Sequence, residues 1–318
     1  MEWKKLGQIF NPTEHKLPNN CVAFAKSPQA IVFEEFIRIY YCSAEYDKSN
    51  KILCHILFVD FDKNFSKILR HCEDEVINLG ELGSFDEHGI FPFNVLKENG
   101  IIKAYTTGWS RRTSVSVETS VGYAESIDNG ISFSKLGKGP IMTACINEPF
   151  LVCDSFVFKD GQIYYMYYIF GTKWSEPEDG SVSERVYKIA MATSSDGISW
   201  ERNGKCIISD KIDENECQAL PTVIKIGNRF HMYFCYRNMV GFREDSNKGY
   251  RIGYAYSDDL SNWIRDDEKS GINLSKNGWD SQMMCYPNIF KVDQSIYMLY
   301  NGNDFGKRGF GIAKLIFK

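Results

Sequence analysis

Several carboxylates in this sequence stand alone in apolar surroundings. Asp154 lies between Cys153 and Ser155-Phe156, Glu216 precedes Cys217 and Gln218, Asp280 follows Trp279, and Asp86-Glu87 precedes His88 and Gly89. A carboxylate among such neighbours is costly to bury unless it is solvated or partnered. Two carboxyl groups held several Å apart, one ionised and one protonated, are what cleavage of a glycosidic bond needs. One donates a proton to the leaving oxygen; the other activates water or attacks the sugar. The plainer role for each acid is to cap a loop or to tie neighbouring strands together. Trp109, Trp174 and Trp279 offer faces on which a sugar could stack, or are ordinary strand-end aromatics.

Such residues are far apart in the chain, so the elements that gather them matter more than local spacing. One unit recurs. An apolar run leads to a polar turn, an aromatic strand, a strand ending in a Ser/Asp turn, and an aromatic strand start. The clearest copy runs Phe156-Val157-Phe158, Lys159-Asp160-Gly161, Ile163 to Tyr168, Tyr187 to Ala192, Ser195-Asp196-Gly197 and Trp200. Asp-Gly between β-rich runs is a strong hairpin signal. Second-strand aromatics Tyr41, Tyr105, Tyr168, Phe234 and Tyr300 repeat at intervals of about 65 residues, and Pro28, Pro92, Pro221 and Pro287 open the first strands, with Ser155 in that place in the third copy.

Five copies of four strands predict an all-β, five-bladed β-propeller with four-stranded antiparallel blades. The fifth copy stops after its third strand. Trp3-Lys4-Lys5-Leu6-Gly7 reads like Phe133-Ser134-Lys135-Leu136-Gly137, so the N-terminal strand is expected to close the last blade. The prediction is one domain over residues 1–318, with blades at roughly 20–75, 86–140, 150–210, 216–270 and 280–318 plus 1–10. First strands line the channel of a propeller, and their starts converge at one mouth. That gathers Asp86, His88, Asp154, Glu216, Gln218 and Asp280, with Ser27 in the first blade.

Composition narrows the partners. The 318 residues carry a formal net charge of −4, against the basic balance of a nucleic-acid protein. No apolar stretch has the length of a signal peptide or a membrane span. Ten scattered cysteines without a C-x-x-C spacing fit a reduced, cytoplasmic protein with no metal site. The expected ligand is a saccharide or a sugar phosphate, with no cofactor, no nucleic acid and no membrane.

The whole chain resembles the five-bladed β-propeller glycosidase superfamily, which includes glycoside hydrolase families 43, 32, 68 and 130. The resemblance is carried by the Tyr-Tyr-Met-Tyr-Tyr hairpin at 164–168 and by Ala-Thr-Ser-Ser-Asp-Gly-Ile-Ser-Trp at 192–200. It implies Glu216 as general acid and Asp154 as the residue that orients and tunes it. It also implies an acidic base in the first blade, where this chain has Ser27 before Pro28. Asp86, Glu45 or Asp47 could replace that base. Phosphate could instead be the nucleophile, as in the family 130 phosphorylases, or the site could bind a glycan without cleaving it. Arg111, Arg112, Lys173, Arg237 and Arg243 follow second strands, where guanidinium groups suit phosphate or carboxylate. The expected substrate-binding set is therefore His88, Trp109, Arg111, Trp174, Gln218, Arg237 and Asp280, around Glu216, Asp154 and Asp86.

Overall fold

The computed structural model describes residues 1–176 and 183–317. Its strands are β1 (Glu2–Phe10), β2 (Ala23–Val32), β3 (Phe36–Tyr46), β4 (Ile52–Asp62), β5 (Ile68–His71), β6 (Gly89–Glu98), β7 (Ile101–Arg111), β8 (Val117–Ser126), β9 (Ser134–Lys135) and β10 (Val152–Asp160). They continue with β11 (Ile163–Trp174), β12 (Arg185–Ser194), β13 (Glu201–Arg202), β14 (Cys217–Ile226), β15 (Arg229–Arg237), β16 (Arg251–Ser257), β17 (Ile264–Arg265), β18 (Cys285–Val292), β19 (Ser295–Asn301) and β20 (Phe310–Ile316). Only three short 3-10 turns accompany them among the described residues, and no helix there is long and apolar enough to cross a membrane.

Antiparallel meanders build the sheets. β10 to β13 form one, β14 to β17 a second, and β18 to β20 a third, to which β1 adds as the outer strand. Glu2 pairs with Ile316 and Phe10 with Phe310, so the two ends of the chain share one sheet. β2 to β5 and β6 to β9 are two further meanders. One parallel pair, Cys54 opposite Gly89, joins them into an eight-stranded sheet. The Ser-x-Asp turns between third and fourth strands repeat as the sequence predicts. Ser126, Ser194 and Ser257 donate to Asp128, Asp196 and Asp259, whose oxygens then accept backbone N–H groups of the turn.

The first strands explain the spaced prolines. In β2, β6, β10, β14 and β18 the ladder to the next strand skips two residues: Ser27-Pro28, Phe91-Pro92, Asp154-Ser155, Leu220-Pro221 and Tyr286-Pro287. Proline is tolerated there because a bulge residue donates nothing to the ladder. Ser27, Asp154, Leu220 and Tyr286 have φ of 52°, 55°, 45° and 58°. Such left-handed backbone is costly for residues with a side chain and re-aims that side chain out of the pleat.

The five bulged strands also touch one another in turn, β2 to β6 to β10 to β14 to β18 and back to β2. Buried polar side chains stitch neighbours together. Asn94 accepts from the Val157 amide at 3.0 Å, Thr222 from Ile289 at 3.2 Å and Asn288 from Ala30 at 2.9 Å. Gln29 accepts from the amides of both Asn94 and Asn288. Between the sheets lie the aromatic second strands, where Tyr41, Tyr167, Tyr168, Tyr233 and Tyr300 are almost wholly buried.

Candidate functional site

A cavity of about 490 Å³ opens among the bulged strands. Its wall takes Lys26 from β2, Cys54 from β4, Phe91 from β6, Thr107 and Trp109 from β7, and Cys153 and Asp154 from β10. Arg185 and Tyr187 of β12, Ala219 of β14, Arg237 of β15 and Tyr286 of β18 also line it, with Phe242, Arg243, Tyr250 and Phe305 from the connecting segments. Strands one and three of an antiparallel meander run parallel, so the openings of both reach the same mouth. That is why Arg185 and Tyr187, at the start of β12, face residues of β10.

Of the charged groups in this wall among the described residues, one is a carboxylate and four are cations. Asp154 is 7% exposed. Its Oδ2 accepts from the Leu220 amide at 3.3 Å, and its own amide donates to Thr107 Oγ1 at 2.9 Å. Burial pushes the carboxyl up to about 7, against smaller lowering effects from the Leu220 hydrogen bond and the Arg185 charge. Near neutrality it is therefore divided between acid and carboxylate.

Arg237 is 3% exposed and donates to the carbonyls of Asn238 and Met239 and to Tyr187 Oη at 3.0 Å. The Phe242 ring covers its guanidinium at 3.5 Å, and its Nε is buried with no partner. Glu184 bonds Arg243 and lies 3.9 Å from Arg237 Nη2, offsetting part of this charge. Arg185 donates to Ser116 and stands over Trp174, and Lys26 lies over the Phe24 ring. Neither pairs with a carboxylate among the described residues. Lys26 and Arg185 thus give the wall a cationic stretch suited to an anionic group.

The predicted site residues divide. Asp154, Trp109 and Arg237 line the cavity. His88 and Arg111 stand behind Trp109: the His88 ring stacks on the indole at 6.0 Å, and Arg111 is held by Asp47 at 2.7 Å and by the Ile52 carbonyl. Trp174 contacts Arg185 from outside the cavity lining.

Glu216, Asp86 and Asp280 belong to a different pattern. Each precedes a first strand and pairs with the basic residue of the fourth strand of its own meander. Asp86 pairs with Lys135 at 2.5 Å, Glu216 with Arg265 at 2.5 Å and Asp280 with Lys5 at 2.6 Å. Glu148, not singled out in the sequence, pairs with Arg202 at 2.6 Å in the same way. All four acids are 2% exposed or less. Glu216 accepts additionally from the Lys211 and Ile212 amides and from Gln218, which itself accepts from the Ile189 amide. Both Glu216 oxygens are thus engaged, and the side chain is outside the lining of the 490 Å³ cavity. In this geometry Asp86, Glu148, Glu216 and Asp280 hold strand starts to outer strands.

In β5 the corresponding position is His71, which packs on His15 at 4.6 Å and on Phe10. An aromatic cluster replaces the ion pair there.

A larger cavity of about 670 Å³ lies on the outer side of the first and second meanders named above, around Trp263, Tyr256 and Lys205, and holds none of the predicted residues. No group of three or more His, Cys, Asp or Glu among the described residues could hold a metal ion. Sequence reasoning missed Lys26, Arg185, Cys54, Tyr187 and the aromatic wall. Lys26 had a signal in its position one before the bulge at Ser27-Pro28, and Arg185 in opening a third strand.

The sequence matches no protein-family model. It is 29% identical over 315 residues to uncharacterized protein Rv1502 of Mycobacterium tuberculosis (strain ATCC 25618 / H37Rv), spanning 99% of both chains. It is 31% identical over 188 residues to the 1,2-beta-oligomannan phosphorylase of Thermoanaerobacter sp. (strain X514), spanning 58% of this chain and 53% of that protein. A solved structure described as a glycoside hydrolase superposes with a TM-score of 0.75 at 18% identity, covering 99% of this chain and 92% of its own. A thermostable family-43 glycoside hydrolase gives 0.64 at 13% identity, covering 95% and 94%. A structure from work on the GH130 family of mannoside phosphorylases gives 0.66 at 13%, covering 98% and 93%. The chain thus shares the fold of the propeller glycoside hydrolases.

Proposed function

We propose that this chain is a single five-bladed β-propeller, its eight-stranded sheet counting as two blades, that transfers a glycosyl group between a saccharide and phosphate. It is a carbohydrate-active enzyme of the glycoside phosphorylase type. The observation that carries the reading is a cavity whose charged groups, among the described residues, are one carboxyl, Asp154, and four cations, Lys26, Arg185, Arg237 and Arg243; burial raises the Asp154 carboxyl to about 7.

In this reading inorganic phosphate sits against the cationic groups of the wall. A phosphate oxygen attacks the anomeric carbon, and the glycosidic C–O bond breaks. Asp154, as the acid, gives its proton to the leaving oxygen, so the products are a sugar 1-phosphate and a saccharide one unit shorter. A catalytic acid is most effective when its pKa lies near the working pH, which suits a carboxyl raised to about 7. Trp109, backed by His88, supplies a sugar platform. Hydrolysis would need a second carboxyl about 5–10 Å from the first. The acids considered for that place are engaged elsewhere, Glu45 with His55, Asp47 with Arg111 and Asp86 with Lys135. The partial similarity to a phosphorylase of β-1,2-linked mannan supports the same reading and sets the first substrates to try.

The test is a mass-spectrometric product screen on purified protein. A panel of oligosaccharides, β-1,2-linked mannosides first, is incubated with and without inorganic phosphate. A sugar phosphate formed only with phosphate is expected. Free sugar released equally in both conditions would assign hydrolysis instead.

A further inference from the structure

Among the described residues, His55 is the one histidine whose two ring nitrogens both face carboxylates. Its Nε2 lies 2.9 Å from Glu45 Oε2, and its Nδ1 meets Glu75 Oε2. Strand register supplies the first partner. Ser43 stands opposite His55 and Glu45 opposite Leu53, so Glu45 is the diagonal neighbour of His55 on one face of β3 and β4. Cys54, one residue earlier, belongs to the other face and lines the cavity.

The second partner comes from the 72–88 segment between β5 and β6. The Cys72 amide donates to the Phe58 carbonyl at 3.1 Å and the Val76 amide to the Ile56 carbonyl at 3.0 Å. These bonds lay the segment along β4 and bring Glu75 beside His55. The segment fills a seam. One parallel pair, Cys54 opposite Gly89, joins β4 to β6 directly. The segment adds bonds on both sides: the Phe133 amide donates to the Val76 carbonyl at 2.8 Å, and the Cys54 amide to the His88 carbonyl at 3.2 Å. Val76 and Ile77 are buried in the core beneath.

Counting protons fixes the state of this triad. A neutral imidazole has one N–H and one lone pair, so it can donate to only one of two carboxylates; imidazolium donates to both. His55 is 6% exposed, so a lone pair turned toward a carboxylate there would find little water.

We propose that His55 is a proton-operated latch: as imidazolium it ties the 72–88 segment to β3 and β4, and on losing its proton it loosens the seam between β4 and β6. If the remaining N–H stays on Nδ1, the Glu75 bond loses the imidazolium charge. If it stays on Nε2, the Glu75 bond is lost. Either way the hold on the segment weakens.

Burial opposes the charged form of His55, and the hydrogen bonds and charges of Glu75 and then Glu45 overcome it, raising the imidazole above its ordinary value of 6.5. The latch is therefore fully set below 6.5 and is released as the pH rises through the raised value. The other titratable groups around the triad are Cys21 ahead of β2, whose thiol burial pushes up to about 12, and Cys54 on β4, on which Lys26 of β2 acts in turn. His71, His88 and His231 are shifted the opposite way, each chiefly by burial.

The test uses the full chain in two measurements across the same pH range. Proton NMR follows the imidazole C–H signals. Hydrogen-exchange mass spectrometry follows the 72–88 segment, expressed as protection relative to the intrinsic rate at each pH. The His55 signal, assigned by its loss in His55→Gln, is expected to titrate above 6.5, with His71, His88 and His231 below it. Protection of the segment should fall roughly 10–100-fold through the His55 midpoint. Glu75→Gln should move that midpoint down and give the loosened segment already below it; the shift assigns the signal independently if His55→Gln folds poorly. A His55 midpoint at or below 6.5, or protection that does not change through the midpoint, would overturn the assignment. The latch does not depend on the phosphorolysis reading, so one can fail without the other.

Discussion

Replacing Asp154 by Asn separates the chemistry of the site from its stability. Asn copies the shape of the protonated carboxyl and can still accept from the Leu220 amide. It cannot give up a proton. Removing a general acid costs about 10²–10⁴ in rate, or roughly 3–5 kcal/mol of transition-state stabilisation. Asp154→Asn should therefore lose that much in kcat while KM for the saccharide moves little.

Stability should move the other way. The folded pKa of about 7 lies above the ordinary value of 3.8, so the folded state holds a proton that the unfolded chain releases. Stability is then intact below pH 4 and is lost as the pH rises through 7. At 1.36 kcal/mol per pKa unit the loss is about 4 kcal/mol. With unfolding entropy near ~2.1 cal/mol/K per residue, this is about 6 °C of melting temperature for a chain of this length. Asp154→Asn should match wild type at pH 4 and melt about 6 °C higher at pH 8, measured by scanning calorimetry across the pH range. A melting difference that does not vary with pH, or full turnover in the variant, would refute the reasoning.

Three further outcomes follow from the same geometry. Glu216→Gln weakens a buried ion pair with Arg265, and breaking such a pair costs about 3–5 kcal/mol. Thermal melts should fall by about 5–7 °C, while turnover per folded molecule persists. Arg237→Ala removes charge-assisted bonds worth about 1.5–3 kcal/mol. In initial-rate kinetics KM for phosphate should rise about 10–100-fold, with KM for the saccharide nearly unchanged. Gly89→Ala drives a methyl into Trp109 and Cys54, so tryptophan fluorescence should shift and stability should fall by about 1–3 kcal/mol in denaturant titration.

Much of this architecture was legible in the sequence because it is periodic. The Ser-x-Asp turns, the aromatic second strands and the spaced prolines each report a backbone geometry that recurs, and a repeated geometry demands repeated residue types. The pairing of Trp3-Lys4-Lys5 with β20 was readable for the same reason, since Lys5 occupies the place of Lys135, Arg202 and Arg265.

The site was less legible, and the cause is the same periodicity. Asp86, Glu216 and Asp280 stood out as buried acids near strand starts, but their partners lie in fourth strands about 50 or more residues away or at the other chain end. Without those partners in view, an acid held in an ion pair and one left unpaired look alike. Asp154 differs in occupying a bulge rather than the approach to a strand, and the proline spacing marked that bulge. Lys26 and Arg185 were hidden because their role depends on which strand ends share the mouth, a property of the assembled ring and of no local motif.

The most direct test of the central claim is phosphorus NMR of the purified chain with inorganic phosphate and a saccharide that the product screen identifies. A sugar 1-phosphate resonance that grows with wild type and not with Asp154→Asn is the predicted result. Release of free reducing sugar at a rate indifferent to phosphate would contradict it.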